Sequence, residues 1–163
     1  MTRIEFIDEQ ITSARKWTKS LIKRIPDDQW YLTPDVIESN VAWQVGHLAV
    51  SQNFNGIIVV QGLNKRVFEQ VPLKEYAQLY AMGSKPASEG PTPEELRKSL
   101  DFVDELARET LFSLKDEELD QPLMPSKFPH PFAQTKYEAL TWNFKHEMWH
   151  CGQLALLKRV LKS

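Results

Sequence analysis

Two histidines near the C-terminal end of the sequence, His146 and His150, stand four residues apart. In a helix, residues at this spacing lie one above the other on the same face. Two imidazoles placed in this way can chelate one metal ion. The spacing therefore predicts a metal site on the last helix, with a third ligand supplied by another segment of the chain.

A third histidine, His47, falls in the apolar stripe of an earlier predicted helix. Its neighbours within about 60° on the helical wheel, at about 100° per residue, are apolar. They are Trp43, Val50, Phe54 and Ile58. His47 is therefore expected to point into the core, where facing positions of a helical bundle converge and where such folds build metal sites.

Together, His47, His146 and His150 would supply three nitrogen ligands and leave a fourth position open for a water that the metal activates. Zinc, nickel, iron and copper all accept imidazole, so the ligand set does not identify the metal. The alternative interpretation is that each one is a core histidine hydrogen-bonded to a neighbour. Three histidines on two core faces, two of them at chelating spacing, favour metal binding.

Further candidates surround the two C-terminal histidines. Glu147 lies about 60° around the helix from His150 and is a candidate base, with a salt bridge as the alternative. The residues from His146 to His150 match the helix motif of zinc proteases, but no histidine follows His150 to complete a protease site. Gln153 is a candidate for orienting a ligand or binding substrate, and Trp43 is a candidate pocket residue.

Two other residues with reactive side chains, Cys151 and His130, are not expected to be catalytic. Cys151 lies about 100° from the face of the preceding histidine and is interpreted as a small buried apolar residue. It is the only cysteine, which excludes an intrachain disulfide and fits a reducing cytoplasm. His130, between two prolines, is expected on a surface loop, with a gate at the mouth of the bundle as the alternative.

Four amphipathic helices are predicted to position these residues, and no strand pattern competes with them. Thr-x-x-Glu capping boxes predict the first, third and last helix starts, and Ser39 or Asn40 is expected to cap the second. The predicted helices span about 2–25, 40–62, 92–114 and 135–161. The connections 63–92, with a short helix expected over 73–82, and 121–134 are long enough to shape the mouth of a site.

Composition and charge exclude several classes of function. The net charge of -2 and the dispersed Lys and Arg residues leave no basic surface for nucleic acid. No apolar run approaches the roughly 18 residues of a membrane span, and the acidic N-terminal segment does not resemble a signal peptide. The 163 residues are expected to form a single cytoplasmic domain, 1–163.

The last predicted helix is apolar on most of its sides, whereas packing within a single four-helix bundle buries only one apolar stripe of each helix. A second strip is therefore expected to pack against another subunit in a homodimer, or alternatively beneath the long loop. The members of this strip are Leu140, Phe144, Met148, Cys151 and Ala155.

The sequence resembles the DinB-like superfamily, which includes YfiT-type metal-dependent hydrolases, over nearly the whole chain. Ser39-Asn-Val-Ala-Trp-Gln-Val-Gly-His47-Leu-Ala is similar to the motif of its second helix, and His146-x-x-x-His150-x-Gly152-Gln153 is similar to its C-terminal motif. The resemblance implies an all-α, up-down-down-up four-helix bundle, usually dimeric, with a long crossover between helices 2 and 3. It also implies one divalent metal, often nickel or zinc, on the three histidines.

The same resemblance implies several activities. Some members are transferases that use a low-molecular-weight thiol, and related members isomerise or hydrolyse small molecules. The family often has arginine after the last histidine, where this chain has Cys151. The hypothesis is therefore a metal-dependent hydrolase or thiol S-transferase, and the alternative is a non-catalytic module that binds a metal or a ligand.

Overall fold

Four long helices and two short ones build the computed structural model, which describes residues 1–161. The second long helix, α2, runs through Val41–Asn53, a π-helical segment Phe54–Ile58 and a final turn Val59–Gln61. The others are α1 (Arg3–Ile22), α3 (Lys65–Gln70), α4 (Leu73–Tyr80), α5 (Pro93–Phe112) and α6 (Lys136–Leu161). Residues 1–161 contain no β-strand, and the predicted all-α class is confirmed.

Side-chain caps place the starts of the long helices where the sequence predicts them. Thr2 and Thr92 form complete capping boxes at the starts of α1 and α5. The side chain of Asn40, rather than that of Ser39, caps α2 by accepting from the backbone N–H of Trp43. Such caps satisfy the first free N–H groups of a helix, which is why they mark helix starts in the sequence.

The long helices pack as an up-down-down-up bundle, with α1 along α6 and α2 along α5. Residues 62–92 form the predicted crossover between α2 and α5, and α4 packs against α2. The crossover also contains α3, which the sequence analysis did not predict. The side chain of Asn64 caps α3, so an N-cap signal for this helix was present.

The second apolar strip of α6 is covered largely from within the chain. Leu140 and Cys151 are buried, and Phe144 and Ala155 pack against the core clusters. Met148 remains 45% exposed. The prediction that this strip forms a subunit interface is wrong for its buried members, because α1 packs along the same side of α6.

Membrane insertion through a helix has no support in the part of the chain that the structure describes. None of the helices within residues 1–161 combines the length and the apolar character that crossing a membrane requires.

Candidate metal centre

The ring nitrogens of three histidines from two helices meet in the bundle. Nε2 of His146 lies 3.0 Å from Nε2 of His150 and 3.4 Å from Nε2 of His47. Ligand atoms of the three residues all lie within 4.8 Å of one another. Nitrogens bound to one tetrahedral zinc at about 2.0–2.1 Å are separated by about 3.4 Å, so this spacing fits a single ion.

Helix geometry accounts for one part of this arrangement and bundle packing for the other. His146 and His150 occupy successive turns of one face of α6. His47 comes from α2, which packs against α6. His47 and His150 are buried, whereas His146 is partly exposed. His146 is therefore the most solvent-accessible of the three histidines.

The Nδ1 atoms of the histidines are engaged outside the cluster. Nδ1–H of His47 donates to the backbone carbonyl of Tyr80 at 2.8 Å, and Nδ1–H of His150 donates to Oε1 of Gln44. Nδ1 of His146 lies 3.4 Å from Oγ of Ser51. A proton on Nδ1 leaves the Nε2 lone pair free, and such outer hydrogen bonds fix the tautomer and orientation of metal-binding imidazoles.

The electrostatic environment keeps these imidazoles neutral. Burial, with a smaller contribution from the neighbouring histidines, lowers the pKa of His150 to about 3 and that of His146 to about 4. Burial also lowers the pKa of His47. Neutral imidazole is the form that coordinates a metal, so the set fits a divalent transition metal at neutral pH.

Two predicted pocket residues lie beside the cluster. The indole of Trp43 stacks on the His47 ring, with centroids 4.6 Å apart and planes 8° apart, and its Nε1–H donates to Oγ of Ser84. Oε1 of Gln153 accepts from Nε2 of Gln44 at 2.7 Å. Gln153 therefore contacts the amide that holds His150, and reaches the histidines through Gln44.

Glu147 is engaged away from the three histidines. Its carboxylate accepts from Nε of Arg15 at 2.7 Å and from Oγ1 of Thr18 at 2.6 Å, and it is buried. It is not a member of the cluster of metal-binding groups. Its role as a base stays a prediction, and its contacts favour the alternative of a salt bridge. Cys151 is likewise buried beside Thr18, and burial raises the pKa of its thiol.

His130 is half-buried and holds the loop between α5 and α6. Its Nδ1 accepts from the backbone N–H groups of Phe132 at 3.1 Å and Ala133 at 2.8 Å. Its Nε2–H donates to Oδ1 of the buried Asn55 at 2.9 Å, and its ring faces that of Phe54. His130 is thus a loop anchor, and it is not part of the cluster.

Three groups that hold the histidines were not predicted from the sequence. Gln44 stands three residues before His47 on the same helix, and a polar residue on a core-facing turn was a usable signal. Ser51, one turn after His47, gave a weaker one. The Tyr80 carbonyl gave none, because a backbone group carries no residue-type signal.

A cavity of about 600 Å³ lies elsewhere, lined by residues of α4, of α5 and of the segments just before each of them. Two of the lining residues, Tyr76 and Ser99, have hydroxyl groups that are 3.0 Å apart. No histidine lines this cavity, so it is separate from the three-histidine cluster.

Comparison with known proteins agrees with this fold. The sequence model of the DinB superfamily matches residues 10–154. The structure is similar to the crystal structure of a conserved protein from Enterococcus faecalis, with a TM-score of 0.66 and 16% sequence identity, over 99% of this chain and 98% of that one. At this identity the similarity shows the fold alone. No curated protein matches the sequence.

Proposed function

The chain belongs to the DinB superfamily, and we propose that it is a metal-dependent enzyme that acts on a small molecule through His47, His146 and His150. The observation that carries this proposal is the convergence of three Nε2 atoms whose Nδ1 partners lie outside the cluster. A site with prepared nitrogen ligands and outer hydrogen bonds is what a catalytic transition metal requires.

Nickel and zinc are the metals that we propose, because the family resemblance implies one of the two and both accept a neutral three-imidazole set. Bound there, such an ion supplies Lewis-acid activation of a water molecule, for hydrolysis, or of a low-molecular-weight thiol, for S-transfer. Residues of the chain orient the imidazoles and shield them from solvent. Gln44 and the Tyr80 carbonyl orient two imidazoles, and Trp43 shields His47 from solvent on one ring face.

A set of only three protein ligands supports an enzyme over a purely structural metal site. Among residues 1–161, the cluster contains three His, Cys, Asp or Glu side chains and no fourth. Structural zinc sites are closed by four protein ligands, whereas catalytic sites keep three and leave one position for a reactant. The partial exposure of His146 supports access to that position.

The second candidate function is a non-catalytic module that binds a metal or a ligand. The burial of His47 and His150 in the bundle favours it, because a metal joining α2 to α6 there would also stabilise the fold. Under this alternative, removal of the metal by an added chelator would unfold the protein. Under the enzyme proposal, substitution of a histidine abolishes activity while the fold persists.

Metal analysis of the protein without a histidine tag tests the proposal. We expect about one nickel or zinc per chain, lost in His47→Ala and His146→Ala. The His130→Ala variant is the matched control, because this histidine lies outside the cluster and should leave the metal content unchanged. Absence of metal after incubation with both ions would contradict the site. Hydrolysis and thiol-transfer assays on the loaded protein then separate the two functions.

The proposed location is the cytoplasm. The single cysteine is a free, buried thiol, which is compatible with a reducing compartment.

A further inference from the structure

Aromatic rings border the exposed side of the histidine cluster. His146 is the partly exposed member, and the indole of Trp142, one turn earlier on α6, faces it with centroids 6.0 Å apart and planes 27° apart. Trp142 is itself only partly buried. A molecule that reaches the Nε2 atoms from this side therefore passes along an indole surface.

The loop between α5 and α6 adds a second ring to this surface. Phe132 lies against Trp142, with ring centroids 4.5 Å apart and planes 43° apart, and is 67% exposed. That separation leaves no room for a third ring between them, so a ligand's ring would pack on their outward faces. The backbone N–H of Phe132 is held by His130, which fixes the loop at this point.

The exposure of Phe132 is not explained by packing of the core. Because about two-thirds of the phenyl ring is exposed, its burial contributes little to the free energy of folding. The loop that carries it is already held by His130, so a ligand could bind the ring without the entropic cost of ordering this loop. A second indole, that of Trp43, stacks on the His47 ring and lies 6.2 Å from the His150 ring. Each of the three histidines therefore has an indole beside it.

We infer that Trp142 and Phe132 form a subsite for a flat apolar ring of the substrate, next to the position where its reactive group meets the three histidines. This inference rests on the proposed function, because it requires a ligand bound at the metal. It narrows the substrate class to small molecules that combine an aromatic or similarly flat group with a group that can approach the metal.

Two hydroxamates that share a metal-binding group test the subsite. Benzohydroxamate carries a phenyl ring, and acetohydroxamate carries a methyl group in its place. Calorimetric titration of each into protein loaded with Zn²⁺, and separately with Ni²⁺, measures the two affinities. We expect benzohydroxamate to bind about tenfold more tightly, the order expected of one aromatic contact.

Variants assign the preference to the two rings. In Phe132→Ala and Trp142→Ala the preference should fall to roughly threefold or less, while acetohydroxamate affinity is retained, which shows that the metal site is intact. Trp17→Ala is the control, because this α1 side chain is 59% exposed and lies outside these ring contacts; it should keep the full preference.

The two probes separate failure of the subsite from failure of the proposed function. Equal affinities for the two hydroxamates, or a preference that survives both alanine variants, would overturn the subsite and leave the metal site standing. Failure of both probes to bind the loaded protein would overturn the accessible metal site, and the subsite with it.

Discussion

Nε of Arg15 on α1 donates a 2.7 Å hydrogen bond to Oε1 of Glu147 on α6, inside the bundle and next to His146. Both side chains are buried. Thr18 also donates to this carboxylate, and the Arg15 guanidinium donates to Oε1 of Gln52 on α2. The guanidinium also donates to the backbone carbonyl of Leu100 on α5 at 3.1 Å, so one buried ion pair connects all four long helices.

Breaking this pair should destabilise the fold strongly. Arg15→Met leaves the Glu147 carboxylate buried without its cation, and we expect a loss of about 3–5 kcal/mol in the free energy of unfolding. Urea denaturation measures this loss. Lys19→Met, also on α1, removes an exposed partner of Asp101 and should change stability by less than about 1 kcal/mol. A similarly small effect for Arg15→Met would show that Glu147 does not depend on its ion pair.

Gly46 and Gly152 lie in different surroundings, so substitution by alanine should affect stability in opposite directions at the two positions. A Cβ on Gly46 would lie 2.2 Å from Cδ2 of Tyr80, whose carbonyl holds His47, whereas a Cβ on Gly152 meets nothing within 4 Å. Gly46→Ala should cost about 1–3 kcal/mol of stability through overpacking and should weaken metal binding. Gly152→Ala, on exposed helix, should be neutral or stabilising by up to about 1 kcal/mol. Thermal unfolding of both variants checks the sign of each effect.

Gln44 should matter for metal affinity although it is not a ligand. Gln44→Leu removes the acceptor for Nδ1–H of His150, so this imidazole loses its fixed tautomer. We expect zinc affinity to fall about 10–100-fold, measured by competition with a chromophoric chelator. Gln78→Leu, at an exposed position on α4, should leave the affinity unchanged. Equal affinities in the two variants would show that Gln44 does not orient the site.

The structure of the loop between α5 and α6 should depend on pH, because His130 holds it. Burial lowers its pKa below the ordinary value of about 6.5, and Glu138 opposes this shift only in part. The unfolded chain therefore binds this proton at a higher pH than the folded chain. The contribution of neutral His130 to the free energy of unfolding is fully present above about pH 6.5. It is lost as the pH falls through the lower pKa that His130 has in the folded protein.

The backbone amides of Phe132 and Ala133 report this titration directly, because both donate to Nδ1 of His130. Their NMR shifts in metal-free protein should move with a midpoint below about pH 6.5. His130→Ala should remove this transition while the signals of α5 stay unchanged. A midpoint at or above the ordinary value would contradict the buried, neutral ring.

Much of the fold could be predicted because its signals are local. The capping residues Thr2 and Thr92 act on N–H groups within their own first turn, so they are readable without knowledge of packing. The neighbour that covers the second apolar strip of α6 could not be predicted in this way. Helical periodicity shows that Cys151 lies on an apolar side but not that α1 covers it.

For the site, the sequence by itself determined the His146–His150 pair, because helix geometry alone places residues four apart on one face. Only the tertiary structure decided that His47, 99 residues away from His146, meets them. It also decided that Gln44 and the Tyr80 carbonyl accept hydrogen bonds from Nδ1–H of His150 and of His47. It also decided that Glu147 turns to Arg15, 132 residues away. The physical reason is that helical backbone hydrogen bonds act over four residues, whereas burial and side-chain pairing depend on which distant helices pack together.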